Sequence, residues 1–196
     1  MWGSVMCFKP NLSALLGLAL VALSSQTATA ELLFDSGEFM SGDMNISSEH
    51  GLLVGDNLLH SFKLFNINAT ESATFSGPDN VQNIIARVSG LSPTLIDGAI
   101  RSSIPNADLF LLNPNGIMFG PDASIDVNGG LRVSTAPRLL FEDGSSLVVS
   151  DSGNSTITAA TPVAFGFDAN PSRITFNGVD MSSGASASTL SGLLGA

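Results

Sequence analysis

The chain has 196 residues and a formal net charge of −10 at pH 7, with one cysteine, one tryptophan and no tyrosine. This acidity repels nucleic acid and anionic membranes, and has an ordinary use in keeping a protein soluble. A single cysteine excludes an intramolecular disulfide framework, so burial and hydrogen bonding must hold the fold.

Residues 1–30 read as a secretory signal peptide. Lys9 is the only charge, and the apolar stretch Leu12 to Leu23 falls short of the ~20 residues of a membrane span. Ala28-Thr29-Ala30 supplies a small-x-small cleavage site before Glu31. Cys7, Trp2 and Lys9 leave with this segment. The rest is long enough for one domain without staples, expected over residues 31–180 and followed by a flexible Ser/Gly/Ala-rich tail over residues 181–196.

Leu52 to Ile67 reads as a set of strands with Leu53, Leu58, Phe62, Leu64, Phe65 and Ile67 as core. His60, inside that set, is expected to be a hydrogen-bonded structural residue, because no second His, Cys or carboxylate cluster is spaced around it for a metal. Val81 to Val88 fits a helical face through Val81, Ile84, Ile85 and Val88. It fits a strand equally through Ile84-x-Ala86-x-Val88, and periodicity leaves the two open.

Ala107 to Ala136 is the most informative stretch. An apolar run enters Asn113-Pro114-Asn115-Gly116, and another leaves it from Ile117. Pro114 fixes its own φ and lacks an N–H, Asn115 tolerates the left-handed region, and Gly116 enters it freely, so a tight turn is expected. The asparagine side chains can satisfy backbone groups that such a bend exposes.

From Ser124 onward short alternations recur: Ile125-x-Val127, Leu131-x-Val133, Leu139-x-Phe141, Leu147-x-Val149, Phe165-x-Phe167 and Ile174-x-Phe176. Turn signals separate them at Asn128-Gly129-Gly130, Asp143-Gly144, Asp151-Ser152-Gly153, Ala169-Asn170-Pro171 and Asn177-Gly178. No long helical period intervenes, which argues against a doubly wound sheet. A β-sandwich and a parallel β-helix both remain open.

Asn57 to Phe62 with Phe65-Asn66-Ile67, then Ile84 to Gly90, then Ala107 to Ile117 form an ordered series. This series resembles the haemagglutination-activity, or two-partner-secretion, domain at the N-terminus of filamentous-haemagglutinin-type exoproteins, over roughly Phe34 to Gly178. Its most specific element is the family's Asn-Pro-Asn-Gly-Ile motif, matched by Asn113, Pro114, Asn115, Gly116 and Ile117. An earlier Asn-Pro-Asn-Leu-type motif of the family is altered here to Gly77-Pro78-Asp79-Asn80.

The resemblance implies an all-β fold, a single-stranded right-handed parallel β-helix with an N-terminal cap, expected in Glu31 to Leu53, and a strand at Ile84 to Val88. It implies export by way of the periplasm to the cell surface or medium. The partner it implies is an outer-membrane transporter, whose periplasmic domains and pore recognise the domain. Exoproteins of the family usually continue further, so a short, truncated adhesin is expected, monomeric and with no cofactor.

The alternative is a β-helical polysaccharide-degrading enzyme. Asp122, Asp126 and Asn128 lie close enough in sequence to suggest calcium or a carboxylate pair, but no calcium-loop pattern accompanies them and Asp126 should point outward. No Gly-x-Ser-x-Gly elbow occurs, no cysteine follows residue 30, and Arg87, Arg101, Arg132, Arg138 and Arg173 are scattered. A non-enzyme is expected. An adhesin role, with a cell-surface or glycan contact, would have to work without the aromatic platforms that Tyr and Trp provide. Asn45-Ile46-Ser47, Asn68-Ala69-Thr70 and Asn154-Ser155-Thr156 match the short glycosylation pattern, and no function is attached to them.

Overall fold

A computed structural model describes residues 31–151, 157–168 and 170–176. The expected signal peptide over residues 1–30 and tail over residues 181–196, the Asn154 triplet and the turns expected at Ser152-Gly153 and Asn177-Gly178 lie outside the described residues.

The chain begins with a short hairpin, β1 (Leu32–Phe34) and β2 (Phe39–Met40). The first coil holds β3 (Asp43–Ile46), a single 3-10 turn (Ser48–His50), β4 (Leu52–Val54) and the long β5 (Asn57–Phe65). Coil two is β6 (Ser72–Phe75), β7 (Asn83–Val88) and β8 (Thr94–Ile96). Coil three is β9 (Ala99–Ser102), β10 (Asp108–Leu112) and β11 (Ile117–Phe119). Coil four opens with β12 (Ser124–Asp126) and β13 (Leu131–Ser134). An excursion of β14 (Arg138–Phe141), β15 (Ser146–Val148) and β16 (Pro162–Gly166) interrupts it before β17 (Ile174–Phe176).

Parallel pairing between successive coils makes three faces: β3, β6, β9 and β12 form a leading face, β5, β7, β10 and β13 a long face, and β8, β11 and β17 a short one. The molecule is a β-helix of about four turns. Strand pairing decides between the architectures that alternation left open, and it makes Asn83–Val88 a strand. Each coil aligns like residues with the coil below. Leu58, Ile84, Leu109 and Leu131 occupy one column of the long face, and His60, Ala86, Leu111 and Val133 the next inward one. Met44, Ala73, Ile100 and Ile125 line the leading face, and Ile96, Phe119 and Phe176 the short one, where the last two rings stack at 4.8 Å. Columns of this kind let every coil bury its apolar side on a template already present.

Among the expected core residues, Leu58, Phe62, Phe65 and Ile67 are fully buried. Leu53 is 41% exposed, because β4 runs antiparallel along the outer edge of β5, where both its leucines stay exposed. Leu64 is half-buried. The N-terminal cap is smaller than Glu31 to Leu53: β3 pairs parallel with β6 and is a rung of the solenoid, whereas β1 and β4 cover the outer edge of β5. That edge would otherwise present unpaired backbone groups.

The second departure from the sequence reading is the excursion. Leu139, Phe141 and Leu147 alternate as solenoid strands do, yet β14 pairs antiparallel with both β15 and β16 outside the coils. Its apolar side packs on the outward side of the long face. Leu59, Ile85, Phe110 and Leu112 join Leu139, Phe141, Leu147, Val149 and Ile157 in a second core. Central strand β7 is therefore buried on both sides. At the β14–β15 turn, Gly144 adopts φ +82° and Asp143 accepts from the Ser145 hydroxyl (2.6 Å), the Thr158 hydroxyl (2.6 Å) and the Ser145 N–H (2.9 Å). These donors hold its carboxyl below the usual carboxylate range.

Close stacking leaves no room for side chains at some corners. A Cβ on Gly90 would collide with the Lys63 carbonyl of the coil below. Gly90→Ala is expected to cost about 2 kcal/mol by forcing the two rungs apart, read as a lower urea midpoint.

Candidate functional site

Strand β10 ends because Asn113 turns its side chain into the stack and Pro114 cannot continue a ladder. Asn113 is completely buried. Its Nδ2 donates to the Ser92 carbonyl (3.0 Å) and the Thr94 hydroxyl (2.9 Å) in the coil below, while its Oδ1 accepts from the Asn115 N–H at 2.9 Å and Asn115 Nδ2 at 3.2 Å. The Asn113 N–H meanwhile donates to the Ser134 carbonyl in the coil above, at 3.0 Å. One side chain and its amide thus tie three coils.

Asn115 is exposed, and its Nδ2 also donates to the Gly90 carbonyl at 2.7 Å. The turn closes with the Gly116 N–H donating to the Asn113 carbonyl at 3.2 Å, and Gly116 alone uses positive φ, +114°. Asn115 does not need the left-handed region. Pro114, half-buried, accepts from the Ser172 hydroxyl at 2.6 Å, and the Ile117 N–H donates to the Arg173 carbonyl at 3.1 Å. Ile117 itself is buried in the tube beneath Ile174. The corner is locked below by β8 and its approach, and above by the chain returning from the excursion.

Other corners repeat the device more weakly. Asn66 Oδ1 accepts the Leu95 N–H at 2.9 Å, and Asn128 Nδ2 donates to the Ser102 (3.1 Å) and Ile104 (3.3 Å) carbonyls. Asn128 is hence a latch between coils and is not arranged as a ligand beside Asp122 and Asp126. Asp126 points outward and is exposed, and the Asp122 N–H donates to Asp97 Oδ1 at 3.0 Å. Among the described residues, no group of three or more His, Cys, Asp or Glu is placed to hold a metal. Pro78, Asp79 and Asn80 form an exposed turn, with the Val81 N–H donating to the Pro78 carbonyl at 3.1 Å.

Sequence reading missed a Ser–His–Glu arrangement. His50 Nδ1 lies 3.0 Å from Ser47 Oγ, and His50 Nε2 lies 3.4 Å from Glu38 Oε1. The same Nδ1 accepts the Ser47 backbone N–H at 3.1 Å, so its one lone pair is engaged in closing the 3-10 turn. Phe34 stacks on the ring at 5.4 Å and fixes it further. A base whose lone pair is held by the main chain is a turn cap rather than an activator of the hydroxyl.

The arginines do not form a cleft. Arg132 pairs with Asp108 at 2.6 Å on the long face, and Arg101 and Arg138 are exposed on other strands. Arg87 is buried, donating from Nε to Ser61 Oγ (2.8 Å) and from one Nη to the Val148 (3.0 Å) and Asp151 (2.9 Å) carbonyls. Burial lowers its pKa, against the raising effects of Asp35 and Asp151.

His60 is buried but, contrary to expectation, not hydrogen-bonded. It is fully buried at the first rung, and neither ring nitrogen has a partner of hydrogen-bonding geometry among the described residues. Its ring lies 5.5 Å from that of Phe75 and 6.3 Å from that of Phe62. The Gly51 backbone closes over it so tightly that a Cβ there would sit 2.9 Å from the imidazole.

Comparison with known proteins adds one match. A family model described as the TPS secretion domain covers residues 31–193. No curated protein matches the chain.

Proposed function

Since the chain belongs to the TPS secretion domain family, and is thereby a two-partner-secretion exoprotein exported through the outer membrane, we propose that the corner Asn113 to Ile117 couples folding to recognition by its transporter. In this reading residues 1–30 carry the chain into the periplasm, where the transporter's periplasmic domains receive it before the pore passes it out. The product is a non-enzymatic, monomeric secretion domain of an adhesin-type exoprotein, released or held at the cell surface.

The observation that carries the reading is the position of Asn113. Outside its own turn its side chain reaches the coil before it, and its N–H waits for the coil after it. A chain emerging from a pore N-terminus first can complete each bond in turn, because every rung finds its template already folded. Folding outside the membrane then opposes return. The enzymatic alternative draws no support from the Ser–His–Glu arrangement among the described residues, which is consumed by a turn.

Asn115 separates recognition from stability. Being exposed, it should contribute no more than about 1 kcal/mol through its bond to Gly90. Asn115→Ala is expected to reduce secretion several-fold in a strain carrying the transporter, with the melting temperature of refolded protein little changed. Asp126→Ala, at an exposed strand position, should leave secretion intact. Equal secretion of the two variants would sink the assignment.

A further inference from the structure

Strand pairing along the three faces joins only adjacent coils. A tube held in that way can lose coils from either end, one at a time. The excursion is built differently. It leaves coil four after Ser134 and returns to it at Ile174, yet it shares a core with Phe110 and Leu112 of coil three, Ile85 of coil two and Leu59 of coil one. At its far end Asn57 Nδ2 donates to the Thr158 and Ala160 carbonyls, 101 and 103 residues along the chain and both at 2.7 Å. Ala159, between them, sits so close to the β4–β5 turn that a Cβ on Gly55 would lie 2.7 Å from its own. In coil two the Arg87 guanidinium donates to the Val148 and Asp151 carbonyls. Residues 138–151 and 157–166 thus cross the whole stack, from the last coil to the first.

Asn57 and Arg87 are both buried, and the carbonyls they hold belong to the excursion. They act as clasps. Chain order decides when these clasps can close, since residues 57–112 precede residues 138–166 and coils one to three can stack before the excursion reaches them. From these observations we infer that the excursion is a strap: it closes over coils one to three once they have stacked, ties coil one to coil four, and makes its own release the step that must precede the loss of any coil. A tube whose coils could fray singly becomes one cooperative unit. For an exported chain the strap makes folding outside the membrane slow to reverse, because unfolding has to begin with breaking contacts that formed last. This goes beyond the part the Asn113 corner plays in recognition. The test below reads purified protein alone, so failure of the Asn115 secretion experiment and failure of the strap are separate results.

Folding and unfolding rates of the full mature chain in urea, followed by circular dichroism, compare two truncations of buried leucines, Leu139→Ala in the strap and Leu109→Ala in the tube. Leu139→Ala should unfold about a hundredfold faster and fold at the unaltered rate, as expected of contacts made after the transition state. Leu109→Ala should slow folding, because the stacking of coils two and three comes first. Hydrogen exchange on the unaltered chain needs no variant: amides of β14 should exchange about tenfold faster than those of β5, since coil one opens only after the strap has left. A Leu139→Ala chain that folds as slowly as Leu109→Ala overturns the inference. Exchange of β5 level with β14, or ahead of it, does so as well.

Discussion

Asn113→Ala is expected to lower the stability of the domain by about 3 kcal/mol, seen as a reduced urea midpoint at unchanged slope. The side chain is fully buried and makes four hydrogen bonds, two as donor and two as acceptor. Truncation strands the Ser92 carbonyl, the Thr94 hydroxyl and the Asn115 N–H where water does not replace the lost partner, and such desolvated groups cost more than the bonds themselves are worth. Asn113→Asp should be at least as costly, because it keeps the acceptor for Asn115 but sets a buried carboxylate oxygen against the Ser92 carbonyl, where a donor is required. A loss below about 1 kcal/mol for the alanine variant would mean that the corner relaxes without the asparagine, and would remove it as the joint between coils.

Much of the architecture is written in local pattern. Gly116 with positive φ, the proline before it and the apolar triplets around it specify a corner that any β-helix of this type would need. The resemblance supplied the parallel pairing that alternation could not. What stayed hidden depends on register between distant segments. Leu139-x-Phe141 and Leu131-x-Val133 carry the same alternation, yet one lies in the antiparallel excursion and the other in the tube, because strand direction leaves no mark on side-chain period. A clue did exist: Asn83 to Val88 and Leu109 to Leu112 are nearly continuous apolar runs, the sign of strands covered on both sides. Such runs require a second layer, which β14 to β16 provide.

At the site the same division holds. The role of Asn113 in satisfying a bend follows from residue type, whereas its ties to Ser92, Thr94 and Ser134 need the coil spacing to be known. Asn128 looked like a member of a ligand group because Asp122 and Asp126 are its sequence neighbours. In the folded chain it lies past the end of β12, and its amide is spent on the carbonyls of Ser102 and Ile104 in the coil below. A short acidic spacing says little when the turn after a strand directs its polar side chain to the main chain of the neighbouring coil.

Acid should loosen the first coil through His60. Its imidazole sits among Phe62, Phe75 and the Gly51 backbone with no hydrogen-bonded acceptor, and burial drops its pKa from 6.5 to about 4, with nearby His50 giving smaller effects in both directions. An unfolded chain binds this proton near pH 6.5, while the folded chain resists it until about pH 4. Between those values the unfolded state holds more protons, so the stability present above pH 6.5 drains as the pH falls and is lost in full below pH 4. The shift corresponds to about 3 kcal/mol. Urea melts at pH 7 and at pH 4.5 on the native chain and on His60→Leu measure it. Leucine suits the column of Ala86, Leu111 and Val133 and has no proton to gain, so the variant should lose distinctly less stability on acidification. Carboxylate protonation acts on both proteins alike and cancels in the comparison. Parallel pH profiles for the two would show that the imidazole reaches water before the coil opens, and would remove His60 as the acid-sensitive point of the N-terminal end.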